Sequence, residues 1–241
     1  IGARGSCALD WRAVRRSLPR GEQDKWIEVL DFGALSTAST GLRRTSIGQL
    51  EKTASADRRK AIWLAAFSAS AMSLREEAIG ILELGTCLGS GAVSLILGAQ
   101  RRCRYVGLEG SPDLARVTEE RIRRAAPDVP IDIRVGPFRD TLPAIVDSDI
   151  RFDLVFLDGH HEGRVLLEQW GQIRPRLIDG AWVVVDDIRW SDDMHAAWNV
   201  LAKKEGVLAF DLFRMGALQI SDRVKGPMNS APRRVSLSMF A

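Results

Sequence analysis

The chain has 241 residues, 46% of them hydrophobic, which is enough to bury a full core as one domain with added segments. Its 34 Lys and Arg stand against 31 Asp and Glu, and a net charge of +3 at this size demands no nucleic-acid partner. No stretch approaches the roughly 20 apolar residues of a bilayer span, the first residues lack the apolar run of a secretion signal, and Cys7, Cys87 and Cys103 lack paired spacing, so a cytoplasmic protein is expected.

Up to residue 77 the rhythm is mostly helical. Arg4, Arg12, Arg15, Arg16 and Arg20 gather basic charge near Pro19, as a solvated helix face or a site for an anionic partner. Residues 11–18 and 24–30 read as short amphipathic helices separated by Pro19 and Gly21, and 31–40 as a loop. Helices follow over 46–53 and 57–73, the second capped by Asp57, with Ile62, Ala65, Ala66 and Ala69 as a close-packing stripe against a sheet.

From residue 79, strands over 79–84, 104–109, 131–135, 152–157 and 181–186 alternate with helices over 89–99, 112–125, 140–147, 165–172 and 192–204, which calls for a parallel sheet. The runs 207–213 and 216–220 are joined only by Arg214 and Met215, too short for a parallel crossover, and predict an antiparallel hairpin. The expected fold is α/β: a doubly wound, seven-stranded sheet, mostly parallel, ending in that hairpin. Residues 1–77 are expected to form a helical, substrate-side lid, 78–221 the core and 222–241 a tail.

The first core strand runs through Glu83, Gly85, Thr86, Cys87, Gly89 and Ser90 into a helix, placing backbone N–H groups where this architecture binds ligands. A dinucleotide loop needs glycine at its middle position so that the backbone can approach a pyrophosphate; counted from Gly85, that position is Cys87. S-adenosylmethionine has no pyrophosphate and tolerates a Cβ there. Glu109 ends the next strand, where a carboxylate accepts hydrogen bonds from both hydroxyls of a ribose; taken alone, it caps the helix that starts near Pro112.

With Leu82-Glu-Leu-Gly85, Gly107-Leu-Glu109, the run Phe152 to His161 and the run Gly180 to Asp187, the chain resembles class I S-adenosylmethionine-dependent methyltransferases, in particular the catechol O-methyltransferase-like branch. The resemblance covers about 79–220. It implies that Glu83 and Gly85 line the methionine end, Glu109 the ribose, and Gly136 to Phe138 the adenine, Phe138 offering an apolar face or serving as a core aromatic; Gly89 allows close approach in the loop, and Thr86 and Ser90 are further cofactor-binding candidates.

Asp158, Asp186 and Asp187 end the fourth and fifth core strands, and converging oxygens of this kind suit Mg²⁺ or another divalent metal. Metal-dependent relatives carry Asn where this chain has Asp187. The competing reading is that Asp158 orients the acceptor or the cofactor amine while Asp186 and Asp187 cap a loop. His160 and His161 follow Asp158, and His161, at the place of a lysine in those relatives, is a candidate base; a helix-start role is the bland alternative. Trp190 and Trp198 either cover the acceptor or pack a helix. The segment 26–34 followed by 43–47 resembles the pre-core region of a bacterial methyltransferase group, as a lid.

The expected reaction is methyl transfer to a small-molecule acceptor, at a hydroxyl oxygen. N-methylation of an amine or peptide group, or a non-catalytic binding module, are the alternatives, and an NAD oxidoreductase is disfavoured by the loop spacing. No membrane and no nucleic acid are expected as partners, and a homodimer is left open.

Overall fold

The computed structural model describes residues 9–18, 21–31, 41–221 and 233–234. Helix α1 (Trp11–Ser17) begins at Asp10, whose carboxylate accepts the Arg12 N–H. Arg12, Arg15 and Arg16 are exposed on this helix, and Arg16 pairs with Asp10. Arg4, Arg20 and Cys7 lie outside the described residues.

The helix expected over 24–30 is instead a strand, β1 (Trp26–Asp31), paired antiparallel with β2 (Gly41–Ser46). Ile27 and Val29 are buried while Glu28 and Leu30 are exposed. Two residues apart, Ile27 and Val29 share one face only in a strand; a helix would turn them to nearly opposite sides. The loop expected over 31–40 falls, from residue 32, outside the described residues.

Ser46 caps α2 (Ile47–Thr53) and Asp57 caps α3 (Arg58–Ser73) by accepting the Lys60 N–H at 2.8 Å. Of the stripe Ile62, Ala65, Ala66 and Ala69, only Ala65 is buried; α3 turns Ala61, Leu64, Ala65 and Ser68 inward instead. The rotation follows from two contacts. Phe67 packs on Trp182, ring centroids 5.0 Å apart, and Ala65 meets Gly98 so closely that a Cβ on Gly98 would lie 2.4 Å from its carbonyl oxygen.

The core then runs β3 (Ile79–Leu84), α4 (Ser90–Gly98), β4 (Cys103–Glu109), α5 (Pro112–Ala125), β5 (Ile131–Val135), α6 (Phe138–Val146), β6 (Phe152–Leu157), α7 (Gly163–Ile173), β7 (Leu177–Val185), α8 (Asp192–Leu201), β8 (Val207–Leu212) and β9 (Met215–Ile220). A two-residue strand, β10 (Arg233–Arg234), runs parallel to β8. The sheet order is β10-β8-β9-β7-β6-β3-β4-β5, antiparallel only at β9, as the short connection from β8 requires. One apolar layer packs Val155, Val183 and Trp198 on one face; the other packs Ile81, Tyr105 and Phe156 under α3 and α4.

Chain order reverses between β3 and β6, so their carboxyl ends open the crevice in which doubly wound sheets bind ligands. The N-terminal segment is tied to this core by Arg121 of α5. Its guanidinium, fully buried, donates to Ser17 Oγ, Val14 O and Leu88 O and pairs with Glu51 at 3.1 Å. No helix among the described residues is long and apolar enough to cross a membrane.

Candidate active site

At the crevice, Gly85 has φ +88°, and a Cβ there would lie 2.2 Å from Asp158 O. The tips of β3 and β6 therefore touch through backbone alone, joined by Asp158 N–H to Leu84 O at 2.9 Å. Cys87 takes the left-handed conformation with φ +48°, costing a side-chain-bearing residue about 1–2 kcal/mol. That geometry aims its N–H at Glu109 Oε2, 2.8 Å away. Burial pushes the Cys87 thiol up to about 12, so it is no thiolate nucleophile. Gly89, with φ +76°, caps α4 against Thr118.

Glu109 is buried at the tip of β4 and accepts from Cys87 N–H, Ser111 N–H at 3.0 Å and Thr86 Oγ1 at 3.4 Å. Burial raises its pKa, and the Ser111 and Cys87 amides oppose that shift. Three donors leave part of the carboxylate's accepting capacity for a molecule in the cavity it lines.

Glu83, expected at the methionine end, is not among the cavity's lining residues. Strand alternation places it on the face of Ile81 and Tyr105, beneath α4, where its Oε2 accepts the Tyr105 hydroxyl at 2.6 Å. A Cβ on Gly91 would sit 2.5 Å from Oε1. Burial raises this acid to about 8, so it is largely protonated near neutrality. Thr86, Gly89 and Ser90 likewise stand behind the cavity wall; Ser90 Oγ accepts Ala56 N–H at 2.8 Å and anchors the N-terminal segment.

The cavity itself, about 320 Å³, lies over the carboxyl ends of β3, β4, β6 and β7. Gly85, Cys87 and Glu109 wall one side. Gly136 and Phe138 wall another, the Phe138 ring lying over Gly159 so tightly that a Cβ there would be 2.2 Å from Cε2. Val29 and Leu30 of β1 and Ser55 close it from the N-terminal segment.

At its floor the carboxylates of Asp158 and Asp186 converge on Lys60 of α3. Lys60 Nζ stands 3.1 Å from Asp158 Oδ2 and also donates to Asp186 Oδ2. Burial would lower the Lys60 pKa, but the charges of Asp158 and Asp186 prevail and raise it, so it is an ammonium and no base. Burial and the charge of Asp158 push Asp186 up to about 6. Its Oδ1 is buried without a hydrogen-bond partner. Asp187, with φ +47°, turns to Arg214 at 3.0 Å.

The three carboxylates expected to hold a metal therefore do not form an open donor set: an ammonium sits between two of them, and the third is engaged by a guanidinium. Among the described residues no group of three His, Cys, Asp or Glu is placed to hold a metal ion. The donors present do not fit a divalent metal.

His161 lines the cavity beside Trp190, ring centroids 5.2 Å apart, and burial lowers its pKa so that the imidazole is neutral near pH 7. His160 packs edge-on to Phe138, with Nδ1 buried and unpartnered. The two tryptophans divide their roles: Trp190 lines the cavity, and Trp198 is fully buried under the sheet. Lys60 carries little mark of its role in the sequence. The one local hint is three cations, Arg58, Arg59 and Lys60, in the first turn of α3, where the helix dipole disfavours positive charge.

Residues 82–188 match the family model described as a methyltransferase domain. The catechol O-methyltransferase of Mycobacterium tuberculosis is 37% identical over 108 residues, 45% of this chain and 47% of that protein; the chain thus spans about half the length of this curated relative. Among solved structures, cofactor-bound Rv0187 from MTB superposes with a TM-score of 0.56 at 27% identity, over 72% of this chain and 83% of that one. The Bacillus cereus O-methyltransferase in complex with SAH gives 0.58 at 20% identity, over 69% and 82%, a likeness of fold. Residues 82–188 thus match a methyltransferase domain, and they lie on a doubly wound sheet with the fold of these solved structures.

Proposed function

We propose that this chain is a cytoplasmic S-adenosylmethionine-dependent methyltransferase acting on a hydroxyl oxygen of a small molecule. The observation that carries the reading is Glu109: a buried carboxylate, pinned by the Cys87 and Ser111 amides at the mouth of the crevice, with accepting capacity left for ribose hydroxyls. Gly136 and Phe138 flank the adenine, Gly85 allows close approach at the methionine end, and Asp158 orients the cofactor amine or the acceptor. Bound there, S-adenosylmethionine supplies a methyl group activated on a sulfonium.

The protein's own task is alignment, exclusion of water and removal of the acceptor proton. His161, neutral and lining the same cavity, takes the hydroxyl proton as the oxygen attacks the methyl carbon and the electron pair of the breaking carbon–sulfur bond goes to sulfur. The N-terminal segment serves as the acceptor-side cover, supported by Val29, Leu30 and Ser55 in the cavity wall. Free thiols at Cys87 and Cys103 support a reducing compartment. The name of the relatives makes catechol the first acceptor to assay. Calorimetric titration with S-adenosylhomocysteine tests the reading; no binding to the folded protein refutes it.

A further inference from the structure

We infer that Lys60 is the resident cation of the acceptor end, standing where a divalent ion would otherwise sit, so that the acceptor is held through one oxygen by an ammonium and not as a metal chelate. This rests on the proposed function for what the cavity binds, but the placement of Lys60 is independent of it. An ammonium has three donors. Asp158 and Asp186 take two, leaving one for a molecule in the cavity that Lys60 lines.

The charges point the same way. Asp158 and Asp186 contribute two negative charges and Lys60 one positive, so the floor carries a net charge of about −1, which the sulfonium of a bound methyl donor offsets. A divalent ion on the same oxygens would press against the ammonium in a site where Lys60 and Asp186 are both largely buried, an arrangement with no compensating charge. Asp187 offers no relief, because Arg214 already neutralises it. Lys60 reaches the floor from α3, outside the matched residues 82–188, so the cation is a property of this chain's N-terminal segment. A vicinal diol such as catechol therefore gains no chelation from its second oxygen, and a compound with a single hydroxyl is held by the same one contact.

Mn²⁺ alone is the probe, followed by the electron paramagnetic resonance signal of the free ion. It is titrated into the wild type, Lys60→Ala and Lys60→Gln, each checked for folding by circular dichroism; Lys60→Gln keeps the chain length should Lys60→Ala fail to fold. The expected result is that the wild type leaves Mn²⁺ free, whereas the neutral variant binds one equivalent at least roughly tenfold more tightly, and that adding Asp158→Asn abolishes this. Wild-type binding that disappears in Asp158→Asn overturns the inference, as does a folded neutral variant no better than the wild type. S-adenosylhomocysteine titrated in parallel reports on the cofactor reading alone, so the metal result decides for or against Lys60 whichever way that titration falls.

Discussion

Replacing Glu109 by Gln keeps the size of the side chain while changing what each of its terminal atoms can do. In the structure one oxygen accepts Cys87 N–H at 2.8 Å and the other Ser111 N–H at 3.0 Å. Gln satisfies one of these donors with its carbonyl and turns an NH₂ toward the second, leaving a buried amide unpaired at a cost of about 1–3 kcal/mol. For a chain of this size that lowers the melting temperature by roughly 2–12 °C. Binding suffers separately. Two ribose hydroxyls donating to a carboxylate are each worth about 1.5–3 kcal/mol, so losing them weakens S-adenosylhomocysteine by about 3 kcal/mol or more, roughly 100-fold. Glu109→Ala, which strands both amides, should melt lower still. Calorimetric titration well below the variant's melting temperature separates the two effects. A folded Glu109→Gln protein that binds S-adenosylhomocysteine as tightly as the wild type would refute the assignment of Glu109 to the ribose.

Glu83→Gln tests the buried acid behind the loop. Because the folded value, about 8, lies above the ordinary 4.5, the native state holds a proton that the unfolded chain releases. The stability Glu83 contributes is thus fully present below 4.5 and is lost as pH rises to about 8. Gln mimics the protonated acid toward Tyr105, so the fall in stability with pH across that window should shrink by up to about 1.4 kcal/mol per pH unit; equal slopes in wild type and variant, measured by denaturant unfolding, would count against it. Arg121→Met should cost about 3–5 kcal/mol by leaving Glu51 and three oxygen acceptors without their buried cation. A melting temperature unchanged from wild type would show that the clamp holds nothing. His161→Asn should lower turnover of an acceptor by about 10²–10⁴ while S-adenosylhomocysteine affinity holds; a matching loss of affinity would make His161 a structural residue.

Local pattern carried most of the core. Helix α5 keeps its expected bounds because Pro112 sets its first turn and the apolar spacing runs unbroken to Ala125. Strands β3, β5 and β6 keep theirs because short apolar runs, or in β5 the alternation Ile-Asp-Ile-Arg-Val, are punctuated by turn residues. The alternation of strand and helix gives the parallel sheet, the two-residue link between 213 and 216 gives the antiparallel end, and together they place Gly85, Glu109, Asp158 and Asp186 along one edge. The hairpin of β1 and β2 was less legible, because the exposed Leu30 breaks the alternation of Ile27, Glu28 and Val29, and Pro19 and Gly21 punctuate a helix as readily as a strand.

What the sequence determined by itself was periodicity and punctuation, which act over a few residues and settle the sheet, its switch point and which carboxylates end its strands. Only the tertiary structure decided which way those side chains face and what stands between them. Glu83 and Glu109 both sit at strand tips, yet pleating turns the first under α4 and leaves the second at the cavity. Lys60 lies 98 residues from Asp158 and 126 from Asp186. Its place at the cavity floor depends on the rotation of α3, set by Ala65 against Gly98 and Phe67 against Trp182. That packing is a property of surfaces meeting in space, and no pattern within α3 encodes it.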